Sequence, residues 1–195
     1  MKPRIPLRPP SDWDTEVLDA LGVMMPRGVS DVAKAKEPGA PRVANVLALL
    51  ARYPALAKAF LTFNKHLLSS STLPGRVREL VILRISWLRR AEYEWAQHAF
   101  LAEKRAGVPR QEIEAVKEGA KASAWSPLEA GILRAVDELF ADAFVSDATW
   151  EVLSAGLDQR QLMDLVFTVG AYDLLAMAFN TFGLELDPGL EGFER

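Results

Sequence analysis

Residues 77–88 carry apolar side chains at nearly every position. At about 100° per residue these side chains surround a helix on almost all sides, which is the pattern of a helix buried at the centre of a protein. Glu79 and Ser86 fall within about 20° of each other on one face of this helix, whereas Arg78 and Arg84 point elsewhere. A buried carboxylate is costly unless it is paired, so Glu79 needs a reason to be there.

Two interpretations of Glu79 follow from the residues alone. If the carboxyl is buried without a partner, its pKa rises toward the range where it exchanges protons near neutrality, and Glu79 becomes a candidate catalytic group. Alternatively, Glu79 is a structural ion-pair partner of Arg76, Arg78 or Arg90, because structural networks also place charges in helices.

The next segment, 91–98, predicts a second pair of polar residues. On a helix Ala91, Glu94, Trp95 and His98 share one side, and Glu94 and His98 are i and i+4 neighbours. The spacing predicts a carboxylate–imidazole contact, which would fix the tautomer of the ring and favour its protonated form. The alternative is a His–Glu pair that takes part in no reaction.

The same helix has a second apolar side. Tyr93, Ala96 and Phe100 lie on it, which predicts packing on two surfaces at once. One of these surfaces could belong to another subunit.

The pattern of the whole chain from Val43 onward is helical, without sustained period-two alternation. We therefore predict an all-α fold. Proline or Asp at the starts and Gly at several stops indicate helices at 43–52, 54–68, 109–119, 127–141, 147–155 and 158–179. Because Arg89-Arg90-Ala91 contains neither Gly nor Pro, the pattern also allows one continuous helix over 76–105.

The first forty residues differ from the rest because prolines recur in them. Only one short helix fits, Trp13 to Leu21, with Ser11 or Asp12 as its N-cap and Gly22 at its stop. We predict an N-terminal arm over 1–42, otherwise extended over the surface or over a partner subunit, and a helical domain over 43–195.

Composition excludes several kinds of chemistry. The chain has no cysteine, which removes disulfides, thiolate zinc sites, iron–sulfur clusters and thiol nucleophiles. With 23 basic and 26 acidic side chains the net charge is −3, which disfavours nucleic acid as a partner. No uninterrupted apolar run or signal-peptide pattern predicts a membrane segment. We expect a cytoplasmic protein.

Two runs of residues resemble a known family. The sequence Arg-Glu-Leu-Val-Ile-Leu-Arg at 78–84, followed by Tyr-Glu-Trp-Ala-Gln-His at 93–98 and Gly-Val at 107–108, is similar to the carboxymuconolactone decarboxylase family, which includes the alkylhydroperoxidase D-like proteins. Residues 169–172 and 179–186 resemble its C-terminal helix and tail. The resemblance covers roughly Val43 to Leu186.

The peroxidase branch of this family has a Glu, a Cys-x-x-Cys pair and a His one turn later, which together activate a thiol. The resemblance places the Glu at Glu79, the two Cys positions at Ala91 and Glu94, and the His at His98. Both thiols are absent, so disulfide-forming peroxide reduction is chemically excluded, whereas a proton-transfer pair remains.

The sequence looks more like the cysteine-free decarboxylase branch. That resemblance implies a small carboxylated lactone as substrate and no metal or organic cofactor. It also implies a single-domain helical bundle assembled as a homotrimer or homohexamer, with the pocket near subunit contacts. Finally, it implies a break between Leu88 and Ala91, without which Glu79 and Glu94 would lie about 22 Å apart along one helix.

Four further positions are considered for the site. Arg84 could bind the carboxylate of a substrate, although a structural ion pair is an equal alternative. Tyr172, with Asp173, could lie at the pocket edge, or be a buried phenol satisfied by a hydrogen bond. Trp95 is a further candidate for binding the substrate. His66 lacks a second ligand at i+3 or i+4, so we predict no metal site there.

The sequence thus predicts cofactor-free proton-transfer chemistry of the decarboxylase or lyase type on a small organic acid or lactone. His98 would be the general acid/base, Glu94 its orienting partner or a second acid/base, and Glu79 the buried carboxylate that completes a relay. The alternative is a non-catalytic oligomeric ligand-binding or scaffold protein with the same fold.

Overall fold

A computed structural model describes residues 3–24 and 44–193, and every regular element in these two ranges is helical. The predicted all-α fold is therefore confirmed. The chain divides into two compact units, Met1–Ser70 with Thr181–Asp187, and Ser71–Asn180 with Pro188–Arg195. The predicted boundary at 42/43 lies outside the described residues and stays a prediction, as does the course of the arm beyond residue 24.

The first unit contains a 3₁₀ turn at Pro10–Asp12, α1 at Thr15–Gly22, α2 at Asn45–Leu50 and α3 at Pro54–Lys65, followed by a π-helical turn at His66–Ser70. Its core is apolar and is built around α1 and α3. The buried side chains that form it are Trp13, Val17, Ala20, Leu21, Ala51, Ala57 and Leu61.

The predicted start of the first helix was wrong by two residues. Trp13 precedes α1, and Asp14 is the N-cap, since its carboxylate accepts a hydrogen bond of 3.0 Å from the Val17 backbone N–H. The indole explains the difference, because it is 2% exposed and its Nε1–H donates to the Arg8 carbonyl at 3.0 Å. Ser11 and Asp12 therefore belong to the preceding turn.

The second unit holds the central helix. Its elements are α4 at Gly75–Leu88, α5 at Glu92–Arg105, α6 at Arg110–Ala115, a 3₁₀ helix at Val116–Lys121, α7 at Pro127–Asp142, α8 at Asp147–Gly156 and most of α9, Gln159–Phe182. α4 packs against both α5 and α7. Its middle is fully enclosed, with no exposed surface on Leu80, Val81, Ile82, Leu83 or Ile85.

The break between α4 and α5 is a left-handed helix stop. Arg90 has φ +53°, and the Ala91 N–H donates to the Ser86 carbonyl at 2.8 Å while the Arg90 N–H donates to the Trp87 carbonyl at 3.1 Å. These are the two hydrogen bonds of a Schellman motif. The guanidinium of Arg90 also lies 4.6 Å from the Trp87 ring centroid. The break implied by the family resemblance is present, and the continuous helix is excluded.

The longest helix, α9, is apolar enough to be compared with a membrane-spanning helix, although the sequence predicts no membrane segment. By length and composition alone it could cross a membrane, with a mean hydropathy of 1.6 over 18 residues. The sequence analysis looked for an uninterrupted apolar run, whereas a mean hydropathy over 18 residues stays high even when a few polar residues are scattered among them. However, 56% of that window is buried within the fold, as in a core helix. Asp164 is likewise buried and accepts hydrogen bonds from Ser71 and Thr72. The predicted cytoplasmic location stays a prediction.

Ala143 tests the left-handed stop at the end of α7. It is exposed and has φ +55°, a conformation that costs a residue with a Cβ roughly 1–2 kcal/mol and costs glycine almost nothing. We expect Ala143→Gly to raise the free energy of unfolding by about 1 kcal/mol. Urea unfolding followed by circular dichroism measures it.

Ala141→Gly is the matched control, because Ala141 is exposed but lies inside α7. There the same substitution should lower stability by about 0.5 kcal/mol. Equal effects of the two substitutions would contradict the left-handed geometry at 143.

Candidate active site

The helix stop brings the buried carboxylate of α4 to the histidine of α5. Glu79 Oε2 lies 2.7 Å from His98 Nδ1, and the two residues are 3% and 7% exposed. The predicted ion pairs of Glu79 with Arg76 or Arg90 are not formed within the described residues. Of the three predicted arginines, Arg78 is the one that contacts it, with Nε and Nη2 both 3.3 Å from Oε1.

The charge of Glu79 is stabilised by these neighbours. Burial on its own raises the pKa of the Glu79 carboxyl, but the hydrogen bond and the charge of His98, with a smaller effect of Arg78, outweigh burial and hold the pKa below its ordinary value. Glu79 is therefore an ionised carboxylate that fixes one nitrogen of the imidazole. The other nitrogen, Nε2, is the one that can exchange a proton with a third group.

Glu94 does not orient His98, contrary to the sequence-based prediction. It is 2% exposed, and neither of its carboxyl oxygens has a hydrogen-bond partner among residues 3–24 and 44–193. The i, i+4 spacing permits a contact, but the carboxylate of α4 takes the Nδ1 position instead. Burial, and then the nearby negative charge of Asp173, raise the pKa of Glu94 well above its ordinary value. Below this raised pKa Glu94 is a neutral carboxylic acid, whereas Glu79 is a carboxylate.

Tyr172 joins this group from α9. Its ring lies edge-on to the imidazole of His98, with centroids 5.0 Å apart and an angle of 90° between the planes. It is 2% exposed. Burial raises the pKa of the Tyr172 phenol well above its ordinary value, and the negative charge of Glu79 adds to this effect, while the positive charge of Arg78 opposes it. The phenol therefore stays protonated.

The residue after Tyr172 anchors the end of α4. Asp173 forms a bidentate ion pair with Arg89 at the end of α4, with one N–O distance of 2.9 Å. The guanidinium of Arg89 lies 4.5 Å from the ring centroid of Phe140, and Asn180 donates to the Arg89 carbonyl at 3.0 Å. Sequence reasoning gave Arg89 no role, and no spacing signal links it to Asp173, because the two are 84 positions apart.

Arg84 does not contact Glu79, His98 or Tyr172. It forms a structural ion pair, which is the alternative that the sequence analysis gave for it. Its guanidinium donates to Asp137 at 2.6 Å and to the carbonyls of Val116 and Lys117, both at 2.9 Å. Gly119, with φ +68°, lies against it, and a Cβ there would come within 2.6 Å of the guanidinium. Arg84 therefore joins α4 to α7 and to the 3₁₀ helix at Val116–Lys121.

Trp95 has different contacts from His98, although the spacing predicts that the two share one side of α5. It packs against Trp87 and Phe193, with ring centroids 5.6 and 5.8 Å away. It lines a cavity of about 550 Å³ between α5, α6 and the C-terminal segment, whose lining includes Phe100, Arg110, Lys117 and Phe193 but not Glu79, Glu94 or His98. Of the predicted substrate-binding residues, Tyr172 is the one that lies beside the acid/base pair.

The remaining candidate, His66, lies in the first unit, in the π-helical turn after α3. In the described ranges 3–24 and 44–193, no three His, Asp or Glu side chains cluster as the ligands of a metal ion would. The structure therefore adds nothing to the sequence in favour of a metal site.

Comparison with known proteins connects this geometry with a family. Residues 54–138 match the model of the carboxymuconolactone decarboxylase family. The resemblance stated from the sequence is confirmed. The matched residues include Glu79, Glu94 and His98. No curated protein sequence matches the chain.

Solved structures share the fold at low sequence identity. An alkylhydroperoxidase AhpD core, an uncharacterized peroxidase-related protein from Ralstonia eutropha, is 19% identical, with a TM-score of 0.73 over 95% of this chain and 93% of its own. A peroxidase-related protein from Silicibacter is also 19% identical, with a TM-score of 0.68 over 75% and 78% of the two chains.

The debrominase Bmp8 in complex with 2,3,4-tribromopyrrole is 16% identical, with a TM-score of 0.65 over 75% of this chain and 79% of its own. These similarities establish the AhpD-like fold. They leave the reaction of this chain to be argued from its own residues.

The protonation of Glu94 has a consequence for stability. Because its pKa is raised in the folded state, the bound proton stabilises the fold fully below the unfolded value of about 4.5, and this contribution is lost as pH rises toward the folded pKa. Glu94→Gln resembles the neutral acid at every pH. We therefore expect the variant to match wild type under acidic conditions and to become the more stable of the two as pH rises through neutrality.

Chemical denaturation across the pH range measures this difference. Glu103→Gln is the matched control, since it removes an exposed carboxyl from the same helix. A difference between Glu94→Gln and wild type that does not change with pH would show that Glu94 is ionised in the fold.

Proposed function

We propose that the protein catalyses cofactor-free proton transfer of the decarboxylase or lyase type on a small carboxylated lactone or organic acid. The observation that carries the proposal is the pairing of an ionised Glu79 with His98 beside Glu94, a carboxylic acid that is buried without a partner in the described chain. Titratable groups whose environments push their pKa values apart are the usual sign of acid/base chemistry.

Each group has a separate task in this proposal. Glu79 holds His98 Nδ1, so that Nε2 carries the proton that is exchanged with the substrate. Glu94, being neutral, donates a hydrogen bond to a substrate oxygen without repelling an anion. Tyr172 packs on the edge of the imidazole and restricts its orientation.

The reaction is balanced without any further reagent. The bond between the substrate carbon and its carboxylate breaks, carbon dioxide leaves, and the electron pair remains on carbon as an enolate delocalised toward the lactone carbonyl. His98 then gives its proton to that carbon and regains one from water. Neutral donors near the departing carboxylate favour this step, because the carboxylate loses its charge.

The alternative function is a ligand-binding or scaffold protein. The Glu79–His98 hydrogen bond taken alone is compatible with it, because a satisfied buried pair also stabilises a fold. Glu94 favours the enzyme, since a buried acid without a partner lowers stability and adds nothing to packing that an apolar side chain would not add better.

His98→Gln tests the proposed role directly. Glutamine keeps the approximate size and hydrogen bonding but does not titrate, so kcat should fall by about 10²–10⁴, the usual contribution of a positioned general acid or base. Substrates are found first by thermal-shift screening of small lactones and dicarboxylates against wild type.

His66→Gln is the matched control, because it removes the chain's other histidine from the first unit. Its kcat should equal that of wild type. Equal turnover by His98→Gln and wild type would favour the ligand-binding alternative.

The proposal includes assembly into a homotrimer or homohexamer. On the second apolar side of α5, Tyr93 and Ala96 are buried within the chain, and Tyr93 packs on Phe179 with ring centroids 5.5 Å apart. Exposed apolar side chains lie on α9 instead. They include Met163, Val166, Leu174 and Met177, which are 62%, 38%, 51% and 53% exposed, and such surfaces are typical of subunit contacts.

Light scattering tests this assembly, and we expect a mass of three or six times 21.5 kDa. Leu174→Asp should shift the mass toward one chain, because a charge would have to be buried in the contact. Phe144→Asp is the control, since Phe144 is 65% exposed but lies outside α9. A wild-type monomer at micromolar concentration would contradict the assembly.

A further inference from the structure

We propose that Arg78 binds a carboxylate group that the substrate retains through the reaction, at the solvent side of the Glu79–His98 pair. This inference rests on the proposed function and names the substrate class more closely, as an organic anion with a carboxylate that does not leave. It also replaces Arg84, which the sequence analysis named as a candidate for this task beside an equal structural alternative.

Arg76, Arg84 and Arg89, the other arginines of α4 and its C-terminal cap, are held by carboxylates, whereas Arg90 lies beyond the cap with its guanidinium over the Trp87 ring. Arg84 and Arg89 are held by Asp137 and Asp173. Arg76 forms two ion pairs, with Glu112 at 2.6 Å and Glu129 at 2.8 Å. To bind a substrate carboxylate, each of these would have to give up a partner that joins two elements of the fold.

Arg78 differs because its contacts leave donors available. Its two bonds to Glu79 are 3.3 Å long and end on one oxygen, whereas charge-assisted hydrogen bonds are usually about 2.7–2.9 Å. Its Nη1 has no hydrogen-bond partner in the part of the chain that the structure describes. A guanidinium has five N–H donors in a planar fork, so Arg78 can receive a carboxylate in bidentate geometry.

The position of Arg78 also suits an entering anion. Its side chain is 21% exposed, whereas the side chains of Glu79 and His98 are 3% and 9% exposed. Arg78 is therefore the member of the group that reaches solvent, with the acid/base pair farther inside. Its contact with Glu79 places it at the same site, and its positive charge opposes the rise in the pKa of the Tyr172 phenol.

The local charges favour one organic anion. Glu79 is compensated by His98 when the imidazole is protonated, and Glu94 is neutral. The positive charge of Arg78 is then not neutralised by either glutamate, and it can pair with an anionic ligand. A carboxylate held by a guanidinium resists losing its charge, so Arg78 is suited to anchor a carboxylate that stays on the molecule, not the one that departs as carbon dioxide.

The test compares paraconate, a γ-lactone with one carboxylate, with its methyl ester by isothermal titration calorimetry. Wild type should bind the acid roughly tenfold to a hundredfold more tightly than the ester, the usual effect of a charge-assisted hydrogen bond. Arg78→Gln should bind the two equally. Arg78→Lys should keep part of the preference, because a point charge remains but the fork is lost.

Arg105→Gln is the matched control, since it removes the same charge from the exposed end of α5, and its preference should equal that of wild type. Circular dichroism checks folding, and if Arg78→Gln does not fold, Arg78→Lys decides by a reduced preference. The inference is overturned if wild type does not prefer the acid, or if both Arg78 variants keep the full preference.

His98→Gln separates this inference from the proposed function. It should lose turnover and still prefer the acid over the ester, because the guanidinium is unchanged. If His98→Gln turns over normally while Arg78→Gln has lost the preference, the acid/base assignment fails and the carboxylate site stands. If the preference persists in Arg78→Gln while His98→Gln is inactive, the carboxylate site fails and the acid/base assignment stands.

Discussion

The candidate site depends on the hydrogen bond between Glu79 and His98. Glu79 is buried in α4 among apolar side chains, so its carboxylate needs a positively charged or hydrogen-bond-donating partner. Within α4, Arg78 contacts Glu79 at 3.3 Å. α5 supplies the closer partner, His98 at 2.7 Å, and it can do so only because the chain reverses between the two helices. The left-handed stop at Arg90 makes this reversal. Tyr172 packs against the same imidazole, and the pKa values of Glu79 and Glu94 are shifted in opposite directions beside it.

The two buried glutamates show how environment divides identical groups. Glu79 has a histidine and an arginine beside it and stays ionised, whereas Glu94 has a carboxylate in its neighbourhood and takes up a proton. Asp173, whose charge helps to raise the pKa of Glu94, is itself paired through both oxygens with Arg89. The two environments thus separate the proton affinities of two glutamates that lie on neighbouring helices.

The arginines of α4 and its end separate into structural and available side chains. Arg76 and Arg84 connect α4 to α6, to the 3₁₀ helix and to α7, and Arg89 connects the helix stop to α9. Arg78 alone among these four has a neighbouring residue as its partner, at a long distance. Arg78 is therefore the arginine of these four whose ion pair does not join two elements of the fold.

The sequence by itself determined the all-α fold, most of the helices, the centrality of α4, the family resemblance and the candidate residues for proton transfer, because periodicity, proline positions and residue chemistry are local properties. It did not determine the helix stop, since Arg90 occupies a position where glycine is the usual signal. Nor did it determine that Glu79 is the glutamate that contacts His98, or that Arg84 is used in a structural ion pair. It also did not show that Trp95 lines a separate cavity. Only the tertiary structure decided these points, because each depends on which side chain arrives from another helix, and spacing along one helix contains no information about the neighbours across it.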